Sequence, residues 1–358
     1  MTNHYHEGLH LDLYNKKHAY LGMCKVTILL FIFGLLSYGA SLAADKILYS
    51  ENSYFQKALV ELLKLIGVEN VLAISEARSI ISSNAFSEFV NMLFTVCTML
   101  LPVIIFAKWA KLSWEDCFPI KGKTVRHFWL VYGTMQLFVI FAGMFSTGIY
   151  DFIFPESTVD PGGFTDFSGT QFDIYSFILR IISICIFVPI VEEYIFRGVI
   201  LKYLRNHGTV FAVLASSAIF GIAHGNPAQS VYALTFGIFS AFLVVVTGNI
   251  KTSIIFHSIN NFTSIINEQL IAYIPDDIFT IINCMVNVIT LLLGFAGLYI
   301  IAKKDGLCMK FFEICNIEST SRKHYPGMKQ IFVFPFVFYV IFYALEIILA
   351  NFLMGEGL

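Results

Sequence analysis

The sequence predicts an all-α, polytopic membrane bundle of about 8–9 transmembrane helices with a buried polar site. Composition is the first reason. The chain has 358 residues, 57% hydrophobic and 13% charged, with a mean hydropathy of +0.73, whereas soluble domains carry about 25% charged residues. A soluble fold with so few charges could not cover its surface. The second reason is a series of apolar runs close to the roughly 20 residues a helix needs to cross a bilayer. The third is the alternation of positive and acidic loops between them.

The runs are 25–44, 86–107, 128–150, 174–196, 210–224, 229–247, 252–273, 278–302 and 331–354. The first is too long for the apolar core of a signal peptide, so it is read as a retained span. The fifth is short and suits a tilted, broken or cavity-lining helix. Lys16, Lys17 and Lys25 precede the first span or open it. Lys108, Lys111, Lys121, Lys123 and Arg126 follow the second, and Arg197, Lys202 and Arg205 follow the fourth. Lys251 follows the sixth, and Lys303, Lys304, Lys310, Arg322, Lys323 and Lys329 follow the eighth. The loop 151–173 holds Asp151, Glu156, Asp160, Asp166 and Asp173 without a Lys or Arg. Positive loops stay cytoplasmic, so nine spans with a cytoplasmic N-terminus satisfy the pattern.

The organisation expected is a cytoplasmic segment over 1–24, a membrane bundle over 25–302, a cytoplasmic linker over 303–330 and a last span over 331–354. Leu59, Leu62, Leu63 and Ile66 recur at helical spacing, which argues an amphipathic helix at the outer interface or packed on the bundle. The seven cysteines form no CxxC pair, so neither a disulfide framework nor a zinc cage is read from them. No basic run is long enough to bind nucleic acid.

The polar residues inside apolar runs carry the chemistry, because ionisable groups in a bilayer face a protein interior or a wet cavity. Glu192 and Glu193 point about 100° apart on a helix. Arg197 can pair with Glu193 one turn away, which leaves Glu192 for another partner and for work as a general base. A structural ion cluster is the competing reading. The turn between the fourth and fifth helices falls at Asn206-His207-Gly208. Glu192 precedes it by 15 residues and His224 follows it by 17, so an antiparallel hairpin puts carboxylate and imidazole at similar depth. His257 and Asn261 share one helix face and can both donate to one developing oxyanion. Polar glue between helices is the alternative, and Asn260 fits that role. Rod geometry alone separates His224 from His257, unless the fifth or sixth helix is broken or the fourth and fifth project into the cytoplasm.

These residues resemble the CPBP family, the CAAX-protease and bacteriocin-processing group of intramembrane endopeptidases. Its EExxxR, FxxxH and HxxxN patterns read here as Glu192-Glu193 with Arg197, Phe220 with His224, and His257 with Asn261, over about residues 170–270. The resemblance implies an endopeptidase of a membrane-associated substrate, prenylated CAAX-type or bacteriocin-like. Glu192 and His224 would activate water, and His257 and Asn261 would hold the oxyanion. Glu193, Arg197 and Phe220 would support them. A divalent metal such as zinc on Glu192, His224 and His257 is the other form of the same site, and a reaction without a metal is the reading preferred. The partners implied are a peptide or lipidated-peptide substrate and membrane lipid, in the plasma membrane of a bacterium. The rival functions are a non-proteolytic scaffold or bacteriocin immunity protein and a proton-coupled transporter. The chain has no GxSxG and no HExxH, which removes the serine-elbow and zincin readings.

Overall fold

A computed structural model describes residues 18–36, 39, 43, 53–153, 173–224, 227–301, 303 and 306–320. The expected span 331–354, most of the acidic loop 151–173 and the segment 1–17 lie outside the described residues.

Every regular element among the described residues is helical. The first helix, α1 (His18–Leu36), begins seven residues before the apolar run at 25. The amphipathic stretch forms α2 (Tyr54–Leu65), started by Ser53, whose hydroxyl accepts from the Gln56 amide at 3.0 Å. Its apolar stripe divides. Leu59 and Leu63 pack on Val60, Ala73 and Ala77, while Leu62 and Ile66 stay exposed. The partner helix is α3 (Asn70–Ile81), which sequence periodicity did not announce. Then come α4 (Asn84–Trp109), the single turn α5 (Trp114–Cys117), α6 (Phe128–Ile153) and a long composite helix α7 (Ile174–His207). The bundle continues with α8 (Thr209–Ala223), α9 (Pro227–Thr247), α10 (Lys251–Tyr273), α11 (Asp276–Ile300) and α12 (Leu307–Thr320).

The membrane bundle is as expected, and its span count is smaller among the described residues. Six helices, α1, α4, α6, α7, α9 and α11, are long and apolar enough to cross a bilayer. At 15 residues, α8 reaches only about 22 Å. The 23 residues of α10 are long enough, but Lys251, His257, Asn260, Asn261, Asn267, Glu268 and Gln269 lower its hydropathy. Within the expected linker, α12 is docked rather than free. Phe311 and Ile314 pack on the core, and the Lys310 ammonium donates to the Val246 carbonyl.

Close helix crossings set the frame. A Cβ on Gly294 of α11 would lie 2.8 Å from the Gly133 carbonyl of α6, and one on Gly297 would strike the Leu130 carbonyl. Without a hydrophobic drive between helices in lipid, small residues gain their stabilisation from this close approach. The α8–α9 hairpin repeats the device. A Cβ on Gly221 would lie 2.6 Å from the Ser230 carbonyl, and Gly237 sits against Ser217. The turn from α7 to α8 is at Gly208, whose φ of +117° suits glycine. The outer face of α11 exposes Ile281, Met285, Val288 and Leu292, the surface a lipid-facing helix presents.

Candidate active site

The site is built where α7, α8, α9 and α10 meet, and α7 is not a regular rod. It passes from α-helix into a π-helical turn at Ile181–Phe187, back to α at Val188–Glu193, and into a second π turn at Tyr194–Ile200. Single π turns gather at functional sites. Pro189 explains the first. The Val188 amide reaches back to the Ser183 carbonyl, so the next bond in that register would come from residue 189, which has no N–H. The Ile184 carbonyl is thereby stripped of a helical donor. Asn261 of α10 supplies one, its Nδ2 donating to the Ile184 oxygen at 2.8 Å.

Glu193 lies at the centre and is fully buried. Arg197 stands one turn on, its Nη1 3.2 Å from Glu193 Oε1, as the spacing led us to expect. The guanidinium lies over the Phe220 ring at 4.1 Å from the centroid. Among the described residues its terminal nitrogens have no aligned hydrogen-bond acceptor, so the contact with Glu193 is ionic rather than a directed hydrogen bond. The same carboxylate binds His257 Nδ1 at 3.0 Å and accepts the Ser253 hydroxyl, which lies 2.9 Å from Ser240. Because the single Ser253 proton goes to Glu193, Ser240 donates to Ser253.

Glu192 is the more open carboxylate, with its side chain 15% exposed against 0% for Glu193. Its Oε2 lies 3.6 Å from His257 Nε2, so His257 stands between the two glutamates. This contact was not anticipated. The sequence paired Glu192 with His224, and the structure puts His224 within electrostatic reach of both Glu192 and His257. His224 Nδ1 lies 2.8 Å from the Phe220 carbonyl. A carbonyl only accepts, so Nδ1 carries the proton and Nε2 keeps its lone pair. The same logic gives His257 a proton on Nδ1, facing an ionised Glu193. The Phe220 ring centroid lies 4.6 Å from that of His224 and 5.8 Å from that of His257, so one aromatic side chain spaces both imidazoles.

The two histidines therefore flank one aromatic ring without a break in α8 or α9, contrary to one of the two routes expected. Because α8 is short, Phe220 and Phe236 lie level across the hairpin at 6.2 Å, and Phe236 touches His257 at 5.1 Å. His224 is then only one turn away. Asn261 departs further from expectation. One of its two amide hydrogens is held by Ile184, which leaves one for an oxyanion. Asn260 behaves as inter-helix glue, its Oδ1 accepting from Gln136 Nε2 of α6 at 3.1 Å.

Sequence reasoning passed over Ser253, Ser240 and Phe236. Ser253 had a signal, since it lies one turn before His257 as Asn261 lies one turn after. Also missed was a buried ion pair along the same two helices. Arg180 binds Glu268 through two bonds, 2.9 and 2.6 Å. It ties α7 to α10 away from the Glu193–His257 cluster.

In kind, Glu192, His224 and His257 suit a metal, since each imidazole offers Nε2 while Nδ1 is held by an oxygen. In spacing they do not: among the described residues no three His, Cys, Asp or Glu are close enough to hold an ion.

Residues 174–263, from the start of α7 into α10, match the model of a protein family described as type II CAAX prenyl endopeptidase Rce1-like. No curated protein and no solved structure matches the chain. The matched segment holds Glu192, Glu193, Arg197, Phe220, His224, His257 and Asn261. The resemblance read from the three motifs and the family match point to the same segment: residues 174–263 are similar to the type II CAAX prenyl endopeptidase Rce1-like family.

Proposed function

We propose that the chain hydrolyses a peptide bond of a membrane-associated substrate, with Glu192 as general base toward water. Glu192 accepts a proton from water while His224 Nε2 accepts a hydrogen bond from the O–H that remains and fixes its direction. The resulting hydroxide attacks the scissile carbonyl carbon. The tetrahedral oxygen is met by the His257 imidazole edge that faces Glu192 and by the free amide hydrogen of Asn261. Removing one such donor typically costs about 3 kcal/mol in the barrier. Glu192 then delivers its proton to the leaving amine and the peptide bond breaks. Glu193 holds His257 in orientation, Arg197 keeps Glu193 ionised, and Phe220 spaces the two imidazoles. Because the three candidate ligands do not close on an ion, no step is assigned to a metal.

The observation that carries this reading is His257 set between two unequal carboxylates, one buried and tied, the other partly open. The substrate is a CAAX-type or bacteriocin-like peptide, lipidated or otherwise held at the membrane. It reaches the site from the cytoplasmic side or laterally, and the protein lies in a bacterial plasma membrane with a cytoplasmic N-terminus, the orientation the lysine-rich loops support. The bundle over 25–302 acts as one domain. Purified protein assayed on candidate peptides, with Glu192→Ala, His224→Ala and His257→Ala beside it, tests the proposal. Loss in all three with retained fold supports it. Wild-type cleavage that persists in Glu192→Ala removes it, and Glu192→Gln retaining full cellular function favours the scaffold or immunity alternative. Activity lost on chelation and restored by zinc would move the metal onto these ligands.

A further inference from the structure

We propose that the groove between α1 and α4 is a binding site for one anionic glycerophospholipid, with an acyl chain along the groove and the phosphate at Lys25. The groove holds about 360 Å³. Its walls are Ile28 and Ile32 from α1 and Pro102 and Ile105 from α4, and Lys25 and Trp109 close one end. The two helices run in opposite directions there. From Lys25 to Ile32 and from Trp109 to Pro102 are seven residues each, so both walls extend about 10 Å inward from the same end. A cation and an indole at the mouth of an apolar trench have the polarity of a lipid entering headgroup outward.

Charge complementarity decides the headgroup. Lys25 is half-buried, and its ammonium lies 4.2 Å from the centroid of the Trp109 ring. A ring face offsets only part of the loss of water around an ammonium. Among the described residues no carboxylate meets Lys25, Lys108 or Lys111. Some other cations are matched to carboxylates, among them Lys64 with Glu61, Arg180 with Glu268, and Lys202 with Asp116. Lys108 adjoins Trp109 and Lys111 lies two residues beyond, both exposed. A half-buried ammonium at the mouth, with two exposed lysines close by in sequence, calls for an anion. Basic pockets between membrane helices take phospholipid headgroups, each cation contributing about a five-fold gain in affinity. Trp109 belongs at the headgroup level by its amphipathic ring. The site is separate from the Glu192–His257 cluster and does not depend on peptidase activity.

The test is native mass spectrometry of the full chain in detergent, after incubation with phosphatidylglycerol or with phosphatidylcholine of the same acyl chains. We expect one phosphatidylglycerol retained per chain and at least about ten-fold less phosphatidylcholine. Lys25→Gln, Lys108→Gln and Lys111→Gln should each lower retention about five-fold, while Lys25→Arg should keep it. Ile28→Trp fills the trench without changing charge and should also release the lipid. Equal retention of the two lipids overturns the proposal, as does undiminished retention in Lys25→Gln or in Ile28→Trp. Displacement by glycerol phosphate at the concentration that competes for Lys25 would show an anion site without a chain, and would overturn it too. Variants are compared only where size-exclusion elution matches wild type, and Lys25→Arg serves as the folded reference for the charge series.

Discussion

Glu193 is the residue whose removal separates folding from chemistry most cleanly. Its side chain is 0% exposed and touches Arg197, His257 and Ser253. Glu193→Ala leaves the Arg197 guanidinium, 1% exposed, with two aromatic faces and no carboxylate at contact distance. Breaking a buried pair from one side typically costs about 3–5 kcal/mol, because a charge remains buried without compensation. That is a large share of the roughly 5–15 kcal/mol that holds a typical domain folded. Replacing both partners by apolar groups of similar volume is often neutral or better, so Glu193→Leu with Arg197→Met should regain most of the loss. The double variant should still be inactive, since His257 Nδ1 then has no acceptor and the ring can turn. The assay is thermal unfolding in detergent followed by intrinsic fluorescence, beside peptide cleavage. Glu193→Ala unfolding at the wild-type temperature would refute the reasoning, as would a double variant that is both stable and fully active.

Other outcomes follow from the same contacts. Asn261→Ala strands the Ile184 carbonyl and should destabilise the protein by about 1–3 kcal/mol. Pro189→Ala restores an amide that can serve the Ile181–Phe187 turn, so the Asn261→Ala loss should shrink in that background by unfolding measurements. Arg180→Ala leaves the buried Glu268 carboxylate, 11% exposed, without its bidentate partner, and should cost about 3–5 kcal/mol. Swapping the two charges should recover part of it. Asp173 caps α7, accepting from the Tyr175 and Ser176 amides. The Ser176 hydroxyl, then the Tyr175 amide, hold its carboxyl below the usual carboxylate value. A depressed folded value stabilises above the unfolded pKa and is lost as pH falls through the folded one. Helix signal from the start of α7 should therefore persist below the normal Asp range and fade under more acid conditions, and the fading should be absent in Asp173→Asn.

Much of this architecture was legible in the sequence, for identifiable reasons. Long apolar runs name α4, α6, α9 and α11 because lipid leaves little freedom in composition. The Glu193–Arg197 pair was legible because four residues make one turn. Gly208 was legible as a turn because few other residues take its backbone angles. What stayed hidden depends on irregularity or on tertiary contact. The π turns of α7 break its register on either side of Glu192, and spacing rules assume 3.6 residues per turn. Asn261 looked like a free donor because nothing in HxxxN reveals that Pro189, 72 residues earlier, has left a carbonyl waiting. The span expected at α10 is not confirmed by its composition, and its polar residues meet partners such as Gln136, Ile184 and Arg180. Arg180 and Glu268 were passed over because neither lies in a motif, and only the fold makes them neighbours.

The central claim is that Glu192 activates water beside His257 and His224. Cleavage of a candidate CAAX-type peptide by purified wild type and by Glu192→Gln, with both proteins shown to unfold at the same temperature, tests it most directly. The account predicts cleavage by wild type and a loss of about 100-fold or more in Glu192→Gln, since general-base assistance typically contributes 10²–10⁴-fold. Cleavage by Glu192→Gln at the wild-type rate would contradict it.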